Sequence, residues 1–209
     1  MPVNNEREYR ALAMCVRARE DPQEETDMTV RGYATTFNEP YELYRSGSYT
    51  VLEQVDPHAF DECDLTDVIL QFDHAGRVFA RTRNNTLSLS VDGHGLAIEA
   101  DLSKTDSAKA LYEEIRAGMI DRMSYGFIVQ EDEWTVTHDR DGGTTTELRT
   151  IKKVRKVYDV SAVSIPANDG TSIATRKLCD GVIARHEAER LGEERAKMQL
   201  KLRLKLMEV

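Results

Sequence analysis

The sequence predicts an α+β fold, mainly antiparallel strands, ending in a charged and partly helical C-terminal tail. Three observations carry this. First, apolar and polar residues alternate in short runs bounded by turn residues, as in Leu87, Leu89, Val91 and then Leu96, Ile98, Ala100. That is the period of a half-buried strand. Second, one stretch repeats at helical spacing instead, through Ala108, Leu111, Tyr112 and Ile115. Third, beyond Lys177 the composition shifts to Glu, Arg, Ala, Leu and Lys with few turn residues. The expected division is a folded domain over 1–175 and a tail over 176–209.

In order, Glu8 to Arg19 alternates weakly, with Ala11, Ala13 and Cys15 on one face. It reads as a first strand, although its alanines also permit a helix. Asp21 to Asp27 is a polar loop, Met28 to Ala34 resumes strand character, and Asn38-Glu-Pro40 breaks it. Tyr41 to Tyr49 is polar enough to read as an exposed loop. Asp56-Pro-His-Ala-Phe60 reads as a short helix start, with proline at the first helical position. Val68 to Phe72 is a buried strand. The runs either side of Asp92-Gly-His-Gly95 make the clearest hairpin. Thr105-Asp-Ser107 offers a helix N-cap and Gly118 a C-terminal stop. A strand begins at Phe127 and a polar tip follows at Asp139–Thr146. The lysines of Thr150 to Val157 suggest an edge strand. Val157 to Ile165, apolar on both faces, suggests a central one, ended by Pro166-Ala-Asn-Asp-Gly170.

A net charge of −9 over 209 residues argues against nonspecific nucleic-acid binding by the whole chain. The tail runs the other way: nine Lys/Arg against six Asp/Glu leave it at +3 and the remainder at −12. Its acids favour a protein partner over nucleic acid. Cys15, Cys63 and Cys179 are odd in number and far apart, so neither a disulfide framework nor a CxxC zinc site is expected. His58, His74 and His94 lack metal-ligand spacing, so no metal or cofactor is expected. No apolar run approaches the ~20 residues of a membrane span, and no signal-peptide core opens the chain. The expectation is a protein of reducing cytoplasm that is not secreted.

Candidate chemistry centres on Ser124, between helix-like and strand-like sequence. A serine hydroxyl is a weak nucleophile until a base removes its proton. His74, after the run Val68 to Phe72, has the intrinsic pKa for that task. Asp159 lies inside an otherwise apolar strand, where an acid is costly without a partner. It either orients the histidine or forms a structural ion pair. His138, beside the polar tip, competes for the orienting role. The turn after Pro166 offers the backbone N–H groups of Ala167 and Asn168 as an oxyanion hole. Cys63 with His58 is the weaker nucleophile pair, because Asp61, Glu62 and Asp64 disfavour a thiolate.

Four segments together resemble the prohead maturation proteases of tailed bacteriophages, which are similar in fold and mechanism to the herpesvirus assemblin proteases. They are Arg31-Gly-Tyr-Ala with Phe37-Asn38, Phe72-Asp-His74, Met123-Ser-Tyr-Gly-Phe127, and Asp159-Val-Ser-Ala-Val-Ser-Ile-Pro-Ala-Asn168. The resemblance implies a six- or seven-stranded β-barrel with helices around it, Ser124 as nucleophile and His74 as base. It also implies a serine endopeptidase inside the procapsid of an infected host cell. Its partners there are the scaffolding protein or the scaffold-like region of the major capsid protein, and itself. The herpes relatives dimerise to order their site, so a homodimer fits by resemblance. In one respect the chain departs: the phage family is expected to carry Glu at the third position, and Asp159 is one methylene shorter. The rival reading from another class is a non-catalytic assembly or scaffolding factor on the same fold.

Overall fold

The computed structural model describes residues 6–12, 17–18, 28–139 and 143–164, together with scattered positions between 182 and 201 that are helical. The chain divides into two units, Met1–Ser172 and Ile173–Val209.

The first unit is built on two sheets. Its strands are β1 (Glu8–Leu12), β2 (Arg17–Ala18), β3 (Thr29–Thr36), β4 (Tyr41–Ser46), β5 (Tyr49–Val55), β6 (Ile69–Phe72), β7 (Ala75–Arg81), β8 (Leu87–Val91), β9 (Gly95–Asp101), β10 (Arg122–His138) and β11 (Thr145–Val163). One sheet runs β1-β10-β11-β5-β4, with β6 and β7 attached to β11. The other runs β2-β3-β9-β8. Buried residues from both sheets, among them Val30, Leu70, Leu96, Ile98, Tyr125 and Phe127, form one apolar cluster with Ala108, Leu111, Tyr112 and Ile115.

The expected barrel encircled by helices is not what forms. The sheets keep open edges, and β3 approaches β10 without a hydrogen-bonded ladder between them. Among the described residues of this unit, α1 (Asp106–Arg116) is the one α-helix. The reason is visible in the chain, since helical periodicity with both end signals occurs there once. Thr105 caps it by accepting the N–H of Ala108 at 3.2 Å. Gly118 follows with φ +70°, a conformation that suits glycine. The sheet is also mixed rather than antiparallel throughout. β11 pairs antiparallel with β10, but parallel with β5 over Thr145–Ile151 and with β6 over Asp159–Ala162.

Four local expectations change for physical reasons. Ser124 lies within β10, two residues after Arg122, not at a helix–strand junction. Tyr41 to Tyr49 is a hairpin of β4 and β5 turning at Gly47, φ +55°. Its tyrosines misled because the Tyr41 hydroxyl is buried on Glu53 of the neighbouring strand. Asp56 to Phe60 is a turn, in which the Asp56 carboxylate accepts the His58 N–H at 2.9 Å. The lysine-bearing stretch of β11 is central. Between its β5 and β6 partners it bonds the connecting loop, Val154 N–H to Ala59 at 2.8 Å and Asp64 N–H to Arg155 at 3.0 Å. The β8–β9 hairpin forms, with the Asp92 carboxylate accepting the N–H groups of His94 and Gly95 at 2.8 and 3.0 Å.

Candidate active site

Lateral neighbours in the large sheet assemble the site. The register aligns Tyr9 of β1, Gly126 of β10 and Asp159 of β11, and in the next rank Ala11, Ser124 and Ser161. Positions two apart on a strand share a face, so Ser124 and Gly126 look the same way as Asp159 and Ser161. The alternate positions Met123, Tyr125 and Phe127 are fully buried in the core, with the last two rings stacked at 4.3 Å. Apolar packing on that side fixes β10, and with it the direction of the Ser124 hydroxyl.

His74 arrives from the opposite flank, at the turn between β6 and β7. Asp73 and His74 both hold left-handed backbone, with φ +47° and +56°. Consecutive non-glycine residues there are costly, and β11 supplies the bonds that keep them. The Asp73 N–H donates to Ala162 O at 3.0 Å, the Ser164 N–H donates to the Asp73 carboxylate at 3.1 Å, and the His74 N–H donates to Ser161 Oγ at 3.2 Å.

The outcome is a hydrogen-bonded row. Ser124 Oγ meets His74 Nε2, and His74 Nδ1 meets Asp159 Oδ1. Ser124 and Asp159 are each 1% exposed, whereas the His74 side chain keeps 19% of its surface. The shorter acid reaches the imidazole. Gly126 leaves the space it needs, because a Cβ there would overlap Asp159 Oδ2 and come within 2.8 Å of the Tyr9 ring. Tyr9 packs edge-on against His74, ring centres 4.6 Å apart, and Arg7 lies 3.8 Å from Asp159 Oδ2. If Nδ1–H donates to the carboxylate, Nε2 is left as the acceptor facing the serine. That arrangement can withdraw a proton from a hydroxyl and return it to a leaving group.

The structure brings Ser124, His74 and Asp159 together and leaves the other candidates apart. His138 sits at the far end of β10, exposed, with Nδ1 3.2 Å from Thr145 Oγ1. Burial pushes the Cys63 thiol up to about 12, with the Asp64 charge adding to the effect. His58 is exposed and faces Asp61 at 3.0 Å. Among the described residues no His/Cys/Asp/Glu cluster could hold a metal, and no helix is long and apolar enough to cross a membrane. Ala167 and Asn168 lie outside the described residues. Sequence reasoning missed Arg7, Tyr9, Gly126 and Ser161 as neighbours of the row. For Ser161 a signal existed, since it is two residues beyond Asp159 and so on the same strand face.

A prohead protease of Enterobacteria phage HK97 is 29% identical over 96 residues, 46% of this chain and 39% of that protein. The match therefore spans about two fifths of the length of that curated relative. No solved structure matches. The family model described as caudovirus prohead serine protease matches residues 13–182, most of the chain and all of the row described above. The chain belongs to the caudovirus prohead serine protease family.

Proposed function

We propose that this protein is a serine endopeptidase of the Ser-His-Asp type that cleaves the scaffolding protein, or the scaffold-like region of the major capsid protein, inside the assembling procapsid. The observation that carries this reading is the hydrogen-bonded row from Ser124 through His74 to Asp159. Ser124 Oγ attacks the scissile carbonyl while His74 Nε2 takes its proton. The same nitrogen then protonates the departing amine, and water repeats the cycle on the acyl-enzyme. Asp159 holds the tautomer and stabilises the imidazolium. The negative oxygen of each tetrahedral intermediate needs donors, a role we assign to the backbone N–H groups of Ala167 and Asn168. We assign the tail, 176–209, either to docking inside the prohead or to removal by self-cleavage.

Co-expression with the capsid protein tests both assignments. Wild type should shorten the capsid protein, whereas Ser124→Ala and His74→Ala should not. A chain ending at 175 should still cut but be depleted from purified proheads. Equal shortening by wild type and Ser124→Ala would end the serine-protease reading. Normal packaging of the shortened chain would end the docking role.

A further inference from the structure

Ser161 is buried completely, faces Ser124 across the β10–β11 register, and touches three atoms of the row at once. Its Oγ is 3.2 Å from the His74 backbone nitrogen, 3.2 Å from His74 Nδ1 and 3.2 Å from Asp159 Oδ1. A hydroxyl has one proton to give and two lone pairs. The backbone N–H of His74 takes one lone pair, and Nδ1, whose proton points to Asp159, cannot accept from the hydroxyl. The hydroxyl proton then has one acceptor left, the Asp159 carboxylate.

We propose that Ser161 is a positioning residue for the charge-bearing pair, and that its hydroxyl, with Asp159, sets the reactive tautomer of His74. The inference rests on the serine-protease reading for its effect on rate, but not for its effect on the imidazole. Two physical tasks meet in this one side chain. The first is to hold a strained turn. His74 has φ +56°, and the bond from its N–H to Ser161 Oγ ties that conformation to the rigid centre of the sheet. The second is to aim the carboxylate. Asp159 Oδ1 receives both Nδ1–H and the Ser161 hydroxyl, so its lone pairs are directed at the ring. A carboxylate with only one donor could rotate, and the ring could then rotate with it.

Alanine removes both tasks without adding volume, and threonine keeps the hydroxyl in a strand where a β-branched residue is at home. Two readouts on the full chain separate the possibilities. The first is exchange of the His74 Nδ1–H proton with water, followed by its downfield proton resonance and assigned by its loss in His74→Ala. In Ser161→Ala this exchange should accelerate at least about tenfold, and Ser161→Thr should restore it. The second is the rate at which a fluorophosphonate probe labels Ser124. It should fall about tenfold to a hundredfold in Ser161→Ala while the thermal midpoint changes little, and Ser161→Thr should recover it. Unchanged proton exchange in Ser161→Ala overturns the positioning role. Faster exchange in Ser161→Ala, with no labelling of Ser124 even in wild type, would uphold that role and sink the protease reading.

Discussion

Strand β1 divides its alternate residues between two buried polar assemblies that resemble each other in burial and differ in what their protons can do. Tyr9 lies against His74 in the Ser124 row. Glu8 and Arg10 enter an ion cluster with Glu53 of β5, Arg149 of β11 and Asp132 of β10. Arg10 donates to Glu53 at 2.5 and 2.9 Å and to Glu8 at 2.6 Å. Arg149 donates to Glu8 at 2.7 and 3.0 Å, to Glu53 at 2.8 Å and to Asp132 at 2.7 Å. Both cations are guanidiniums, which stay protonated at any accessible pH. Burial alone would push the Glu8 carboxyl up, but Arg10 and Arg149 outweigh it and bring it down to about 2. Burial would likewise raise Glu53, and the same two arginines draw it below its ordinary value. In the row, the basic group is an imidazole instead, set between the Ser124 hydroxyl on one nitrogen and the Asp159 carboxylate with the Ser161 hydroxyl on the other. One assembly fixes its charges, while the other can pass a proton along. Buried charge by itself therefore does not mark a functional site in this protein; the identity of the cation does.

The largest expected effect breaks the proton path and spares the frame. Asp159→Asn keeps the size of the side chain but offers an amide that can stabilise the wrong imidazole tautomer. The labelling rate of Ser124 by a fluorophosphonate should drop by about 10³- to 10⁴-fold. The thermal midpoint should move by only a few degrees, roughly the scale of a surface change. A variant that labels within tenfold of wild type would show that the carboxylate is structural, as an ion pair with Arg7 would be.

Breaking the cluster should do the reverse. Arg149→Met strands Glu8 and Glu53 with one guanidinium, so a loss of about 3–5 kcal/mol is expected. For a domain of this size that is a drop of roughly 10 °C in Tm. Adding Glu8→Gln to Arg149→Met should recover part of the loss, and a simple sum of the two single losses would argue that the charges are not coupled. Acid probes the same cluster in wild type. The Glu8 carboxyl sits near 2 in the folded chain against an ordinary 4.5. A depressed folded pKa gives stability that is present above about 4.5 and disappears as the pH falls towards about 2. The amount from Glu8 is on the order of 3 kcal/mol. Denaturant titrations at pH 6 and pH 3 capture about two thirds of it, and Glu8→Gln should reduce the difference while Glu53 and the lysine-paired aspartates keep the remainder.

The same contrast explains what could be read from the chain beforehand. The β8–β9 hairpin and α1 were legible because their signals are local: a turn at Asp92–Gly95, and a cap at Thr105 followed by helical spacing. Ser124, His74 and Asp159 are each legible on chemistry, and the resemblance joins Ser124 to His74 while Asp159 departs from it. No spacing rule could reveal that β6 lies parallel to β11 and carries His74 to Asp159. The ion cluster was not legible at all. Glu8 and Arg10 alternate as solvent-facing residues normally do, and only Glu53 and Arg149, far along the chain, turn that face into an interior one. Tyr41 was misplaced for the same reason, since its acceptor belongs to another strand. The barrel failed because closure is a property of edges. No sequence pattern states that β11 divides one edge between β5 and β6 and leaves the sheet open.

The smallest expected effect sharpens the contrast from outside. Lys156 also lies on β11 and bonds the Asp64 carboxylate at 2.5 Å, yet both side chains keep solvent contact, 24% and 42% exposed. The bond to Lys156, helped by Thr66, holds the Asp64 carboxyl well below its usual range, but much of that attraction replaces favourable hydration. Lys156 further rests 5.4 Å from the Tyr158 ring, a contact that its methylenes share with water. Lys156→Ala should therefore shift Tm by no more than about 2 °C, a small part of the change expected at Arg149. At about 1 M salt, where the screening length is about 3 Å, even this difference should fade, while the loss in Arg149→Met should persist because burial shields that cluster from ions. A Lys156→Ala loss as large as that of Arg149→Met, and equally indifferent to salt, would mean that exposure does not separate the charges that hold this sheet from those that decorate it.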